Sequence, residues 1–156
     1  MASRRRGRIL AFQALYAWDV GYNLTGNASI SDDLLDFTWA KDSAQLDEEM
    51  AAFSRLLLTG TVENMAAVDK VLGDHLQNWD LERLNHVDRA LLRMSVYTLM
   101  FQTDMPPSIV IDEAIEISKE FGTDDSYRFV NGVLDAVLAS VRKNLAPENS
   151  KTAVPK

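Results

Sequence analysis

The stretch that decides the fold is residues 86–103, HVDRALLRMSVYTLMFQT. Val87, Ala90, Leu91, Met94, Tyr97 and Phe101 recur at spacings of three and four, so one face of a helix carries them all. Leu92, Val96 and Leu99 widen that face beyond what a surface helix needs, which marks a deeply buried helix. Asn85 stands before it as an N-cap, with Asp88 three residues on in a near capping box. Toward the N-terminus, Gln13 is the only non-aromatic polar side chain of Ile9–Trp18, so a second helix is covered on several sides. Asn23–Ser29, with Gly26, reads as a loop. Ile30, Leu34 and Phe37 share a face of a short helix capped by Ser29 or Ser31. Leu46, Met50, Phe53 and Leu57 open a longer helix that Val62, Met65, Leu72 and Leu76 continue, with a break or bend at Gly60. Asn78–Leu84 is a connector holding Trp79.

On the other side of the central helix, Pro106-Pro107 punctuates and Ser108 is placed to cap the next helix. Val110, Ala114, Ile117 and Phe121 face inward there, and Gly122 suits a left-handed residue just past its end. The last helix starts near Thr123 or Asp124 and buries Val130, Val133 or Leu134, Val137 and Val141. Asn131-Gly132 resembles a hairpin turn, but the flanking period near 3.6 makes it helix interior. Glycine there costs about 1 kcal/mol relative to alanine, which a neighbouring helix or a bound partner would offset by approaching closely. Residues 146–156 are polar and proline-containing and are predicted to be disordered. No segment alternates long enough for a strand. The prediction is all-α, with six or seven helices in one domain spanning 1–145.

The 156 residues, 47% hydrophobic and 25% charged, fit one soluble domain with a real core. The absence of cysteine excludes disulfides, thiolate metal sites and a cysteine nucleophile. The net charge of −7 is unevenly spread. No acid precedes Asp19, while Arg4, Arg5, Arg6 and Arg8 crowd the first turns. Residues 19–60 then carry eight acids against two bases, and after Asp135 Arg142, Lys143, Lys151 and Lys156 face Glu148 alone. A basic patch on an acidic body steers an anion to one place and repels it elsewhere; the alternative is a solubilising surface with a ragged basic start. Arginines followed by Ile9–Val20 superficially suggest a targeting signal, but Gln13, Tyr16 and Trp18 interrupt the apolar run. No segment has the roughly eighteen apolar residues of a membrane span.

No chemistry-bearing motif is found. Neither G-x-x-x-x-G-K nor G-x-G-x-x-G nor G-x-S-x-G occurs, and His75 and His86 lie in no H-E-x-x-H or E-x-x-H arrangement. His86 reads as a plain surface residue. Asp112, Glu116 and Glu120 form a row opposite the apolar face and read as a solvated acidic surface. No metal and no cofactor are expected, and an enzyme is not. Guanidinium groups suit phosphates, and Tyr16, on the same helix as the arginines, offers a ring on which an unpaired base stacks.

Taken together, the motifs resemble the NusB family of bacterial transcription antitermination factors. The resemblance rests on Arg4-Arg5-Arg6-Gly7-Arg8 followed by Ala11-Phe12-Gln13-Ala14-Leu15-Tyr16, on Val87-Asp88-Arg89-Ala90-Leu91-Leu92-Arg93, and on Val110-Ile111-Asp112-Glu113-Ala114. Its strongest part is Phe121-Gly122-Thr123-Asp124-Asp125-Ser126-Tyr127-Arg128-Phe129-Val130-Asn131-Gly132-Val133-Leu134-Asp135. It implies two closely packed helical subdomains, about 1–77 and 80–145. It also implies binding of single-stranded boxA-type RNA together with the small-subunit ribosomal protein NusE, inside an RNA polymerase antitermination complex in the cytoplasm. The implied RNA surface comprises Arg4, Arg5, Arg6, Arg8, Tyr16, Asp125, Arg128 and Phe129; Asp88, Arg93 and Tyr97 lie toward the protein partner. Tyr127 stands where the family often has histidine, and Ala28–Asp47 matches no named feature. Fused to a ribosomal RNA methyltransferase domain the same fold serves an enzyme, for which this length leaves no room. The rival expectations are a helical protein–protein adaptor, a homo-oligomeric helical module, and a regulatory subunit that does not bind RNA directly.

Overall fold

A computed structural model describes residues 2–76 and 80–153, with side chains for 4–76 and 80–142. The described residues form seven α-helices: α1 (Ala2–Thr25), α2 (Asp32–Asp36), α3 (Glu48–Glu63), α4 (Met65–Asp74), α5 (His86–Phe101), α6 (Pro107–Phe121) and α7 (Ser126–Ala153). Short 3-10 turns occupy Ser43–Gln45 and Leu81–Arg83. None of the helices is long and apolar enough to cross a membrane.

The central helix is α5, which packs against α1, α3, α4, α6 and α7. Leu91, Leu92 and Val96 are sealed from solvent on its different sides, which is what the widened apolar stripe requires. Asn85 caps it, its side-chain oxygen accepting from the Asp88 N–H at 2.8 Å. The other buried helix is α1, where Leu10, Ala11, Phe12, Ala14 and Leu15 are all at most 2% exposed. Helix α3 crosses α1 at Gly7. A Cβ there would stand 2.7 Å from the Phe53 ring, and Ser54 Oγ donates to the Gly7 carbonyl at 2.8 Å.

Four local expectations are corrected. The long helix breaks at Asn64 and not at Gly60, because Gly60 lies inside α3 directly beneath Tyr97, whose hydroxyl would be 2.2 Å from a Cβ. Helix α6 starts on Pro107, which loses no helical hydrogen bond at that position, so Ser108 is not its cap. Gly122 is extended (φ −94°, ψ −171°) and not left-handed; it is small because a Cβ would collide with Ser126 and the Ser118 carbonyl. Gly132 has open space around it, so no neighbouring helix explains it. Beyond these, α7 starts at Ser126, whose hydroxyl accepts from the Thr123 N–H at 3.0 Å. Its backbone stays helical to Ala153, past the start of the tail expected to be disordered. Side chains from 143 onward, residues 154–156 and Trp79 lie outside the described residues.

Residues 28–47 dock onto the helices. Ser31 caps α2, its hydroxyl accepting from Leu34 N at 3.3 Å. Phe37 then turns left-handed (φ 56°), at a cost of about 1–2 kcal/mol. Complete burial of its ring, worth about 1.5–3 kcal/mol, offsets that strain. Ala40 is buried beside it, and Trp18 Nε1 donates to the Ala28 carbonyl at 3.0 Å.

A buried ionic node joins α1, α4 and α5. Asp19, 3% exposed, accepts from Arg89 Nε and Nη2 at 2.9 and 2.7 Å and from Arg93 Nη1 at 3.3 Å, and its Oδ2 lies 2.7 Å from His86 Nδ1. Arg93 also holds Asp69 of α4 through two bonds at 2.9 and 3.0 Å. His86 is therefore a member of this node and not the plain surface residue its position suggests. Burial pushes the Asp19 carboxyl up, but the hydrogen bonds from His86 and Arg89 and the charges of Arg89 and Arg93 outweigh it and leave its pKa below the ordinary value. A carboxyl lowered in this way stabilises the fold fully above the unfolded value of about 3.9, and that contribution fades as pH falls through the lower folded value. Asp19→Asn, which removes the carboxylate partner of the buried Arg89, should cost about 3–5 kcal/mol. Thermal denaturation should show a drop on the order of 10 °C, and the variant's stability should change less with pH below about 4 than that of the parent.

Candidate functional site

The arginines of the first turns of α1 sit at the positive end of the helix dipole, so they repel that end as well as one another. Neighbouring elements offset this. Arg5 makes a two-pronged pair with Glu113 of α6, Nε and Nη2 at 2.9 and 2.8 Å from its two oxygens. Arg6 forks in the same way onto Asp42, with Nε 2.8 Å from Oδ2 and Nη2 on Oδ1. Arg8 is 8% exposed, its Nη2 donating to Met105 Sδ at 3.0 Å and its Nη1 3.8 Å from Glu113. Arg4 lies over the Phe53 ring of α3, 4.3 Å from its centroid. The four arginines, Phe53, Met105 and Glu113, with Leu56, Gln102, Asp104, Pro106 and Ile109, line an open cleft of about 970 Å³. Arg5 holds the Glu113 carboxyl below its ordinary range, and the Arg6 guanidinium does the same to Asp42. Burial lowers the Arg8 pKa.

Arg5, Phe12 and Tyr16 fall in one row of α1, since seven and eleven residues are close to two and three turns. The row faces α6: Arg5 meets Glu113, and the Phe12 and Phe121 rings lie 5.4 Å apart. Tyr16, 41% exposed, stands edge-on to His86 with centroids 5.9 Å apart. Around it Phe12, Gln13, Val87 and Phe121 line a crevice of about 220 Å³. From Arg4 to Tyr16 the helix rises about 18 Å.

The remaining candidates gather at the start of α7. Arg83, Leu84, Asn85, Asp88, Thr123, Asp125, Ser126 and Phe129 line a second crevice, of about 320 Å³. Asp88 is 7% exposed there. Its Oδ2 accepts from Asn85 Nδ2 at 3.2 Å, while its Oδ1 is buried without a hydrogen-bond partner. Arg128 donates from Nε to the Tyr127 hydroxyl at 3.0 Å and lies 5.5 Å from that ring's centroid, with Lys119 Nζ 5.4 Å from the same centroid.

The structure thus brings Arg4, Arg5, Arg6 and Arg8 together at one end of α1 and Asp125 and Phe129 together with Asp88 at the second crevice. Tyr16 stands between them, beside His86 and Val87 of α5. Tyr97, which the resemblance sets toward the protein partner, is buried: it is 4% exposed, lies over Gly60, stacks on Phe101 at 5.5 Å and accepts from Gln102 Nε2 at 3.1 Å. Arg93, also placed toward the partner by the resemblance, is engaged inside the Asp19 node. Sequence reasoning missed Asp42, Phe53, Glu113 and Phe121 as parts of these surfaces. Glu113 and Phe121 belong to quoted motifs, but Asp42 had no signal. Among the described residues no group of histidines and carboxylates is arranged to hold a metal ion.

This is an all-helical protein that presents an arginine-lined cleft, an exposed tyrosine beside an aromatic crevice, and a further crevice holding one unpartnered carboxylate oxygen. Residues 5–139 match the model of the NusB family. The transcription antitermination protein NusB of Treponema denticola is 54% identical over 134 residues, covering 86% of this chain and 94% of that protein. A solved structure of T. maritima NusB superposes with a TM-score of 0.73 at 34% identity, over 87% of this chain and 90% of that one. A chain from a crystal structure of the antitermination factors NusB and NusE in complex with double-stranded RNA superposes with a TM-score of 0.74 at 26% identity, over 90% and 98%. The chain belongs to the NusB family.

Gly7 supports this site from beneath, because Phe53 must lie against it to meet Arg4 and Arg8. Gly7→Ala should destabilise by about 1–3 kcal/mol, as overpacking of a tight crossing does. Tyr16→Ala, at a half-exposed position, should cost less than about 1 kcal/mol. Urea denaturation of both variants distinguishes the supporting residue from the displayed one.

Proposed function

We propose that the protein is a transcription antitermination factor. In this reading it binds single-stranded boxA-type RNA together with the ribosomal protein NusE and joins an RNA polymerase antitermination complex in the cytoplasm. It acts by binding and not by catalysis. The observation that carries the reading is the row Arg5, Phe12, Tyr16 along α1, which sets cationic forks and an exposed ring on one side of that helix. Guanidiniums neutralise phosphates whatever the sequence, and Tyr16 offers a stacking face to an unpaired base. Family membership and the similar chain seen with NusE and RNA support the same reading. The helical halves, about 1–77 and 80–145, would share α5 as their common wall, and the tail from 146 would take no part.

The protein partner fits the second crevice. Asp88 Oδ1 lacks a donor among the described residues, and a buried unsatisfied oxygen costs about 1–3 kcal/mol. A donor from a docked protein would remove that penalty. Asp125 and Phe129 line the same crevice and Arg128 lies beside them in the chain; in this reading RNA and partner would meet there.

Titration of a fluorescent boxA-type RNA at several salt concentrations, with and without NusE, tests this. Arg5→Ala combined with Arg6→Ala should flatten the salt slope by about 0.7 for each phosphate that is no longer neutralised. Tyr16→Ala should weaken binding by about 1–3 kcal/mol with the slope nearly unchanged. Folded variants that bind as the parent does would leave the chain a helical adaptor or regulatory subunit without direct RNA contact.

A further inference from the structure

We infer that Asp42 and Glu113 are specificity-determining residues: they occupy the Arg6 and Arg5 forks as phosphate surrogates, so that RNA offering phosphates alone competes poorly for the groove. The inference rests on the proposal that these arginines meet RNA. Each fork is engaged through two N–H groups by one carboxylate, and a guanidinium edge bound in that way cannot pair bidentately with a phosphate as well. Both arginines remain partly open to solvent, with side-chain exposures of 48% for Arg5 and 31% for Arg6, so an incoming anion can reach them.

The surrogates are held in place. Glu113 projects from α6, whose inner face is buried at Val110, Ala114 and Ile117. Asp42 lies in the segment that matches no named feature, two residues after the buried Ala40 and five after the sealed Phe37. That segment therefore has a use: it presents one carboxylate to the start of α1. Without the two acids, four arginines at a positive helix end would attract any polyanion. With them, an RNA backbone merely exchanges one anion for another, and the gain must come from base contacts further along the groove.

The test compares a twelve-nucleotide oligouridylate with a boxA-type RNA of equal length, using Asp42→Asn, Glu113→Gln and the double variant. Asp112→Asn, on the exposed side of α6, controls for the bare change in net charge. Each of the first two substitutions should tighten oligouridylate binding about two- to fivefold, the equilibrium counterpart of an exposed ion pair. Each should also steepen the salt slope by about 0.7, with boxA-type binding changing less, so that discrimination falls. Unchanged or weaker oligouridylate binding would mean the acids merely orient the arginines or do nothing, and an equal gain from Asp112→Asn would reduce the effect to net charge; either result overturns the inference. If Arg5→Ala with Arg6→Ala alters neither RNA in the parent protein, the assignment of RNA to this surface fails and takes the inference with it.

Discussion

The Asp19 carboxylate, buried among His86, Arg89 and Arg93, is the constraint on which the geometry of the groove depends. It sits eleven residues from Arg8, about three helical turns, so α1 carries a buried charge of opposite sign near each end of one row. Arg8 finds Met105 and Glu113; Asp19 finds the guanidiniums of α5. Rotating α1 by one residue would strand both charges in apolar surroundings, and a stranded buried charge costs several kcal/mol. The apolar residues between them would tolerate the slip far better, since Leu10, Ala11, Ala14 and Leu15 present packing surface over a wide arc. The charges therefore set the rotation of the helix, and with it the row Arg5, Phe12, Tyr16 that faces α6.

That division of labour also explains the charge pattern of the chain. The acidic body has members with quite different duties. Asp19 and Asp69 hold the node, Asp42 and Glu113 hold arginines, Asp47 caps α3 by accepting from Met50 N at 2.7 Å, and Asp112, Glu116 and Glu120 face solvent. A count of charges gives −7 and suggests an anion-averse surface, whereas the arrangement leaves the start of α1 locally basic and keeps its arginines in defined orientations. His86 links the two regions, touching Asp19 through its ring nitrogen and Tyr16 through its ring edge.

The helical architecture was legible because periodicity reports burial directly: the widened stripe of α5 and the nearly unbroken apolar run of α1 could be satisfied only by cover on several sides. What escaped were features set by tertiary contact. Gly60 and Gly122 carry the local signature of a break and a left-handed cap, yet both are small because Tyr97 and Ser126 press against them. Tyr97 was legible as part of the apolar face. Among the candidate site residues, the arginines and Tyr16 stood out through type and spacing. Asp42 was invisible because it is brought to Arg6 by a loop whose path depends on the burial of Phe37 and Ala40, and no local pattern encodes a contact thirty-six residues away.

The two ends of the proposed surface differ in physical kind, and that difference bears on how a partner and an RNA would cooperate. At the start of α1 the forces are electrostatic, partly exposed and screened by salt within about 10 Å at ordinary ionic strength. Beside Tyr16, Phe121 and Phe129 they are short-ranged contacts of rings and crevices, which salt hardly touches. The Asp88 oxygen lies at the second end, buried and unsatisfied. A partner supplying its missing donor would add polar and apolar walls beside Asp125 and Phe129, where this chain alone has only shallow crevices. Such a partner would raise affinity for bases and leave the phosphate contacts nearly untouched. Cooperation of that kind sharpens sequence preference more than it strengthens generic RNA binding, which suits a protein whose arginines already hold carboxylates before any RNA arrives.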